Sequence, residues 1–174
     1  IIGGRVGNGN IHGPAGLGVR IVGNDNIVIT GGHIQGNHPR PFAGWHVQQS
    51  NAIEVWGNGN ILELRNGYSF GSNTNYYALV RSGTENTLSL GGRENAIFDQ
   101  TTLNKYFGFD YAKTGSSSWD LHNTGTVTWN VFEGELNVSA GAKIGGANVY
   151  EGVLEFETDG VPQKFGNVEV FGAG

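Results

Sequence analysis

The stretch Val19-Arg20-Ile21-Val22-Gly23-Asn24-Asp25-Asn26-Ile27-Val28-Ile29-Thr30-Gly31-Gly32-His33-Ile34 contains two short β-branched runs, a polar four-residue turn between them and a Gly pair at the end. Val and Ile suit pleated strands, and Gly and Asn tolerate the left-handed backbone that a sharp bend requires. The pattern therefore reads as strand, bend, strand, bend.

Outward from this stretch the pattern recurs. Ile2-Gly3-Gly4-Arg5-Val6, Ile29-Thr30-Gly31-Gly32-His33-Ile34 and Leu90-Gly91-Gly92-Arg93 each end a run in a Gly pair, and Val55-Trp56-Gly57-Asn58-Gly59-Asn60-Ile61 stands between the second and third. The intervals of roughly 26 to 35 residues lie in the range of solenoids and propellers. Val19–Thr30, Trp45–Trp56 and Ala78–Gly91 align as successive repeats, with turns at Gly23-Asn24-Asp25-Asn26, Gln49-Ser50-Asn51 and Ser82-Gly83-Thr84-Glu85-Asn86. On that alignment Asn26, Asn51 and Asn86 stack as a ladder.

Alternation places Val19, Ile21, Ile27 and Ile29 inside, with Trp45, Val47, Ile53 and Val55 above them and Ala78, Val80, Leu88 and Leu90 above those. One repeat cannot close a core alone, whereas stacked repeats bury a continuous apolar column. Outward columns are then Val28, Glu54 and Ser89 on one face and Arg20, His46 and Leu79 on another. The excursions Gly36–Gly44, with Pro39 and Pro41, and Arg65–Tyr77 read as surface loops between repeats.

Lys113-Thr114-Gly115-Ser116-Ser117-Ser118 reads as a linker or long loop, dividing residues 1–110, parallel β-helix repeats, from a β-rich region 111–174. In the latter, Asn130-Val131-Phe132-Glu133-Gly134-Glu135-Leu136 matches Asn148-Val149-Tyr150-Glu151-Gly152-Val153-Leu154 at a spacing of 18, and Asn167-Val168-Glu169-Val170-Phe171 begins a partial third copy. Thinner β-helix repeats, a small sandwich and strands packed against neighbouring chains all fit this pattern.

Composition narrows the functional classes. The 174 residues include 31 Gly, far above the roughly 7% of ordinary usage, with 37% hydrophobic and 14% charged residues. Recurrent alternating runs of Ile, Val, Leu and Phe argue against disorder. A net charge of −5 lacks the cationic footprint of nucleic-acid binding, and no apolar run approaches the roughly 18 residues of a membrane span. Without Cys, disulfides and thiolate metal sites are impossible. The opening Ile1-Ile2-Gly3-Gly4 carries no signal-peptide pattern and reads as a start inside a repeat.

The segment Gly18–Asn37 resembles a repeat of the pectate-lyase-like right-handed parallel β-helix superfamily, and in particular those of bacteriophage tailspikes and tail fibres; the likeness covers residues 1 to about 100. The resemblance implies an all-β fold with a smaller C-terminal β-region that joins chains as a homotrimer. It also implies a tail-borne or extracellular virion protein that contacts other tail proteins and binds, and in many cases cleaves, bacterial surface polysaccharide. A secreted polysaccharide lyase or hydrolase of the same fold, and a structural virion or adhesin stalk, are the competing expectations.

Glycoside hydrolysis needs two carboxylates at a defined separation, and Glu54 is the first candidate because it faces outward near Trp45 and Trp56. Glu85, Glu94 or Asp99 would supply its partner. A lyase needs a base beside a cation, which singles out His46 with Arg20 or Arg81. Trp56, Tyr76 and Tyr77 offer flat apolar faces for sugar rings, with Tyr68 in the same loop. His33, His38 and His46 lack metal-ligand spacing, so no metal and no cofactor is expected. Gly7-Asn8-Gly9-Asn10 and Gly57-Asn58-Gly59-Asn60 precede no helix and are turns rather than phosphate loops.

Overall fold

A computed structural model describes residues 17–35, 51–71, 75–157 and 167–171. The elements are β1 (Val19–Val22), β2 (Ile27–Thr30), β3 (His33–Ile34), β4 (Ile53–Trp56), β5 (Ile61–Leu64), β6 (Ser69–Phe70), β7 (Ala78–Ser82), β8 (Thr87–Leu90) and β9 (Ala96–Asp99). A 3-10 helix, Gln100–Lys105, follows. Then come β10 (Tyr106–Phe107), β11 (Asp110–Lys113), β12 (Ser118–His122), β13 (Thr128–Val131), β14 (Glu135–Val138), β15 (Gly146–Val149), β16 (Val153–Phe156) and β17 (Val168–Val170). The protein is all-β, and the ladders that join β1, β4, β7 and β10, β3 and β6, β8, β11, β13, β15 and β17, and β9, β12, β14 and β16 are parallel.

The chain divides into two compact units, the first formed by residues 1–62, 67–86 and 104–109 and the second by residues 63–66, 87–103 and 110–174. In the first, β1, β4, β7 and β10 lie side by side, so every third strand returns to the same sheet. Val19 pairs with Ile53 and Ile53 with Ala78, while Ile21 pairs with Val55 and Val55 with Val80. The repeat following Val19–Thr30 therefore begins at Ile53, which corrects the expected alignment on Trp45. Trp45 and Val47 lie outside the described residues, as do His38, Gly36–Gly44 and Gly7–Asn10.

The stacked turns explain this register. Gly23-Asn24-Asp25-Asn26, Gly57-Asn58-Gly59-Asn60 and Gly83-Thr84-Glu85-Asn86 are equivalent bends, held together by backbone bonds from Gly23 N to Trp56 O, Asp25 N to Asn58 O and Gly59 N to Thr84 O at 2.9 to 3.0 Å. The third position of each bend is left-handed, with φ of 55° at Asp25, 64° at Gly59 and 59° at Glu85. Gly57 and Gly83 are required sterically, since a Cβ on either would lie within about 2.1 Å of the carbonyl oxygen of the Gly one repeat earlier. The ladder is thus Asn26, Asn60 and Asn86, and Asn51 is not a member.

In that ladder Asn60 Oδ1 accepts from Asn26 N (3.1 Å) and Asn26 Nδ2 (2.8 Å), while Asn60 N and Nδ2 donate to Asn86 Oδ1 (3.0 and 2.9 Å). These side chains occupy the inside of the bend, so the alternation restarts from Asn26 with Ile27 outward and Val28 inward. This corrects the expectation that Ile27 is core: it is 61% exposed. Ser89, also expected outward, is buried. Ile21, Ile53, Val55, Leu62 and Ala78 form the interior of the first unit, each large aliphatic contributing about 1.5 to 3 kcal/mol by burial.

In the second unit β9, β12, β14 and β16 form one sheet, and β8, β11, β13, β15 and β17 lie in that order in another. Tyr111 pairs with Trp129 and Trp129 with Ala147, which repeats the step of 18 residues. Phe98 and Tyr111 pack edge-on to Trp129 at 5.7 and 5.4 Å between ring centroids. Phe132, Tyr150 and Phe171 stack flat at 4.8 and 4.9 Å. The third copy is offset from its expected position, because Glu169 rather than Asn167 pairs with Asn148.

The segment read as a linker is the short turn between β11 and β12. Lys113, the last residue of β11, is buried beneath it, and its Nζ donates to the carbonyls of Thr114 (2.7 Å), Gly115 (2.7 Å) and Glu133 (3.1 Å). Burial pulls the ammonium down to about 8, against the opposing charges of Glu133 and Glu63.

Candidate functional site

The outward face of β1, β4 and β7 in the first unit gathers several of the residues singled out from the sequence. Strand register places Arg20 beside Glu54 and Glu54 beside Leu79, so Glu54 joins the column of Arg20 instead of that of Val28. Between Val55 and Trp56 the register with β7 shifts, and Val80 and Ser82 pair across the step. Arg81 is the extra residue of this bulge, which re-aims its side chain. Arg81 Nη2 and Nε both donate to Glu54 Oε1, at 2.7 and 3.0 Å.

Asn51 Nδ2 donates to the same oxygen at 2.9 Å, and Asn51 Oδ1 accepts from Tyr76 N at 3.3 Å. Arg20 Nη2 stands 4.0 Å from Glu54 Oε2, an ion pair beyond hydrogen-bond length. Glu54 itself is 8% exposed. Burial raises its carboxyl, but the hydrogen bonds from Arg81 and Asn51 and the charges of Arg81 and Arg20 together outweigh that and hold it below its ordinary value. It is a fixed anion that orients Arg81 and attracts Arg20.

Two residues beyond Glu54 on the same face, Trp56 is 41% exposed, level with Val22 on β1. Phe107, exposed and paired with Leu79, lies 6.1 Å from the ring of Tyr76. The face therefore combines two guanidinium groups, a flat indole and the aromatic pair of Tyr76 and Phe107. Tyr77 turns away from it, stacking on Phe70 at 4.8 Å and meeting Tyr106 edge-on at 5.7 Å.

The other carboxylates lie elsewhere. Glu85 is exposed in the bend equivalent to Asp25 and Gly59. Asp99 belongs to the second unit, where its Oδ1 caps the 3-10 helix by accepting from Thr101 N (2.9 Å) and Oγ1 (2.8 Å) and also accepts from Asn123 Nδ2 (2.9 Å). The hydrogen bond from the Thr101 backbone, helped by those from the side chains of Thr101 and Asn123, lowers its carboxyl against burial. His46 lies outside the described residues.

Asn51 is the residue that the sequence did not single out for this site; a polar residue just before a strand carries no signal of a buried carboxylate three positions on. Among the described residues no three of His, Asp and Glu converge to hold a metal ion, and no helix is long and apolar enough to cross a membrane. No protein-family model, curated protein or solved structure matches the chain.

Proposed function

We propose that the strand repeats wind as a right-handed parallel β-helix and that the chain is a segment of a bacteriophage tailspike or tail fibre, trimeric in the virion, that recognises bacterial surface polysaccharide. The return of every third strand to one parallel sheet and the superposed Gly-x-x-Asn bends support the coil. The observation that carries the function is the outward face on which Glu54 fixes Arg81 and attracts Arg20 beside the exposed Trp56.

An exposed indole covers the apolar face of a pyranose ring, and guanidinium N–H groups not engaged by Glu54 donate to sugar oxygens. Because Glu54 is held ionised by its partners it is a poor proton donor, a role that sugar binding does not ask of it. The test is calorimetric titration against a panel of purified capsular and O-antigen polysaccharides, with light scattering for the mass in solution. Binding by a trimer, lost on Trp56→Ala and Arg20→Ala, is expected. A monomer that binds none of the panel refutes the reading.

A further inference from the structure

Two Asn-Gly pairs lie among the described residues, Asn58-Gly59 and Asn66-Gly67, and the fold treats them oppositely. An Asn-Gly pair is open to self-modification because Gly has no side chain to hinder its amide nitrogen from attacking the preceding carboxamide. That nitrogen loses its proton to hydroxide and bonds to the Asn Cγ; the Cγ–Nδ2 bond breaks and ammonia leaves. Water then opens the succinimide at either carbonyl, giving aspartate or isoaspartate. The reaction needs both the carboxamide and the following nitrogen to be free to move.

At Asn58 both are held. Its Oδ1 accepts from Thr84 N at 2.9 Å, and Gly59 N donates to Thr84 O at 3.0 Å, so one residue of the next repeat clamps both reacting groups. Asn58 N also donates to Asn24 Oδ1 at 2.9 Å, and its O accepts from Asp25 N at 3.0 Å. Asn66 and Gly67 instead form an exposed turn. The carboxamide of Asn66 has one long bond, Nδ2 to Glu94 Oε2 at 3.3 Å, and Gly67 N has no partner among the described residues.

We propose that Asn66 is a site of spontaneous deamidation in the folded protein, and that Asn58 is protected from the same reaction by Thr84. Conversion of Asn66 replaces a hydrogen bond to Glu94 with a like-charge contact. The isoaspartate product also adds a carbon to the main chain at that turn. Reaction at Asn58 must await opening of the stacked bends, so it records each such opening.

The experiment incubates the intact protein at mildly alkaline pH, folded and in urea, and follows both sites by peptide mass spectrometry with isoaspartate-specific methylation. In the folded protein Asn66 is expected to convert and Asn58 to react at least about tenfold more slowly, equivalent to about 1.4 kcal/mol of opening. In urea the two rates should converge. Equal rates at the two sites in the folded chain, or protection of Asn66 as deep as that of Asn58, would overturn the proposal.

Discussion

Replacing Asn60 tests whether the Asn ladder or the apolar column sets the register of the first unit. Asn60 is 1% exposed and takes part in four hydrogen bonds, two received from Asn26 and two given to Asn86. Asn60→Ala removes the acceptor for Asn26 N and Nδ2 and one of two donors to Asn86 Oδ1. At about 1 kcal/mol for each lost bond, with a further penalty where a buried group stays unsatisfied, the loss should be about 3 kcal/mol. Asn60→Asp keeps the acceptor but sets a carboxylate oxygen against Asn86 Oδ1, where the present separation is 2.9 Å. At neutral pH it should therefore cost more than alanine, by about 1 to 2 kcal/mol, because the charge is buried without a cation. In acid the neutral carboxyl can donate to Asn86, so the deficit relative to Asn60→Ala should close below about pH 4. Urea unfolding with independent fits of midpoint and slope measures both effects. An aspartate variant as stable as the alanine variant at neutral pH, or an alanine loss under about 1 kcal/mol, would refute the ladder's role.

Gly83→Ala should prevent close stacking, since its Cβ would sit 2.0 Å from Gly57 O at a φ of 99°. Gly141→Ala, left-handed at 78° with nothing within 4 Å, should cost only about 1 to 2 kcal/mol, and thermal unfolding of the pair separates collision from backbone strain. Lys113 releases its proton at about 8 when folded against 10.5 unfolded, so between those values the unfolded chain holds more protons and stability should rise with pH, by up to about 3 kcal/mol. Tyr111, raised by burial to about 12, opposes this above its ordinary value of 10.0, so alkaline stability should peak near pH 10, and Lys113→Met should abolish the rise in a urea series. Glu54, with its carboxyl lowered, contributes stability that is present above its ordinary 4.5 and lost as pH falls through the folded value. Glu54→Gln should flatten that part of the acid limb and, by releasing Arg81, weaken any glycan affinity; an unchanged acid limb would contradict the ion-pair geometry.

Much of the fold was legible because Gly and Asn at a bend leave a mark that side-chain packing does not override. Gly23-Asn24-Asp25-Asn26 and Gly57-Asn58-Gly59-Asn60 share three of four residues and differ only at the left-handed third position, where Asp25 and Gly59 both tolerate a positive φ. Alternation alone misled at two points. Matching the polar turn Gln49-Ser50-Asn51 to Gly23-Asn24-Asp25-Asn26 puts the second repeat at Trp45, yet the bend that stacks there is Gly57-Asn58-Gly59-Asn60, eight residues or more further along the chain. Asn26 also occupies an interior position, which shifts the phase of the strand that follows. Lys113-Thr114-Gly115-Ser116-Ser117-Ser118 has the composition of a linker, and nothing in it signals that three carbonyls will surround the ammonium. For the site, alternation placed Arg20, Glu54 and Trp56 outward, but the approach of Arg81 depends on a bulge and the part of Asn51 on a neighbouring repeat.

The steps between ladder asparagines, 34 residues from Asn26 to Asn60 and 26 from Asn60 to Asn86, differ although the bends superpose. The return path between one bend and the next is thus free to gain or lose residues without disturbing the stack. Variation in length has a permitted address in this protein, on the excursions, while the bends admit almost none. A lineage under pressure to meet new surface chemistries could rewrite those excursions repeatedly and inherit the same scaffold each time.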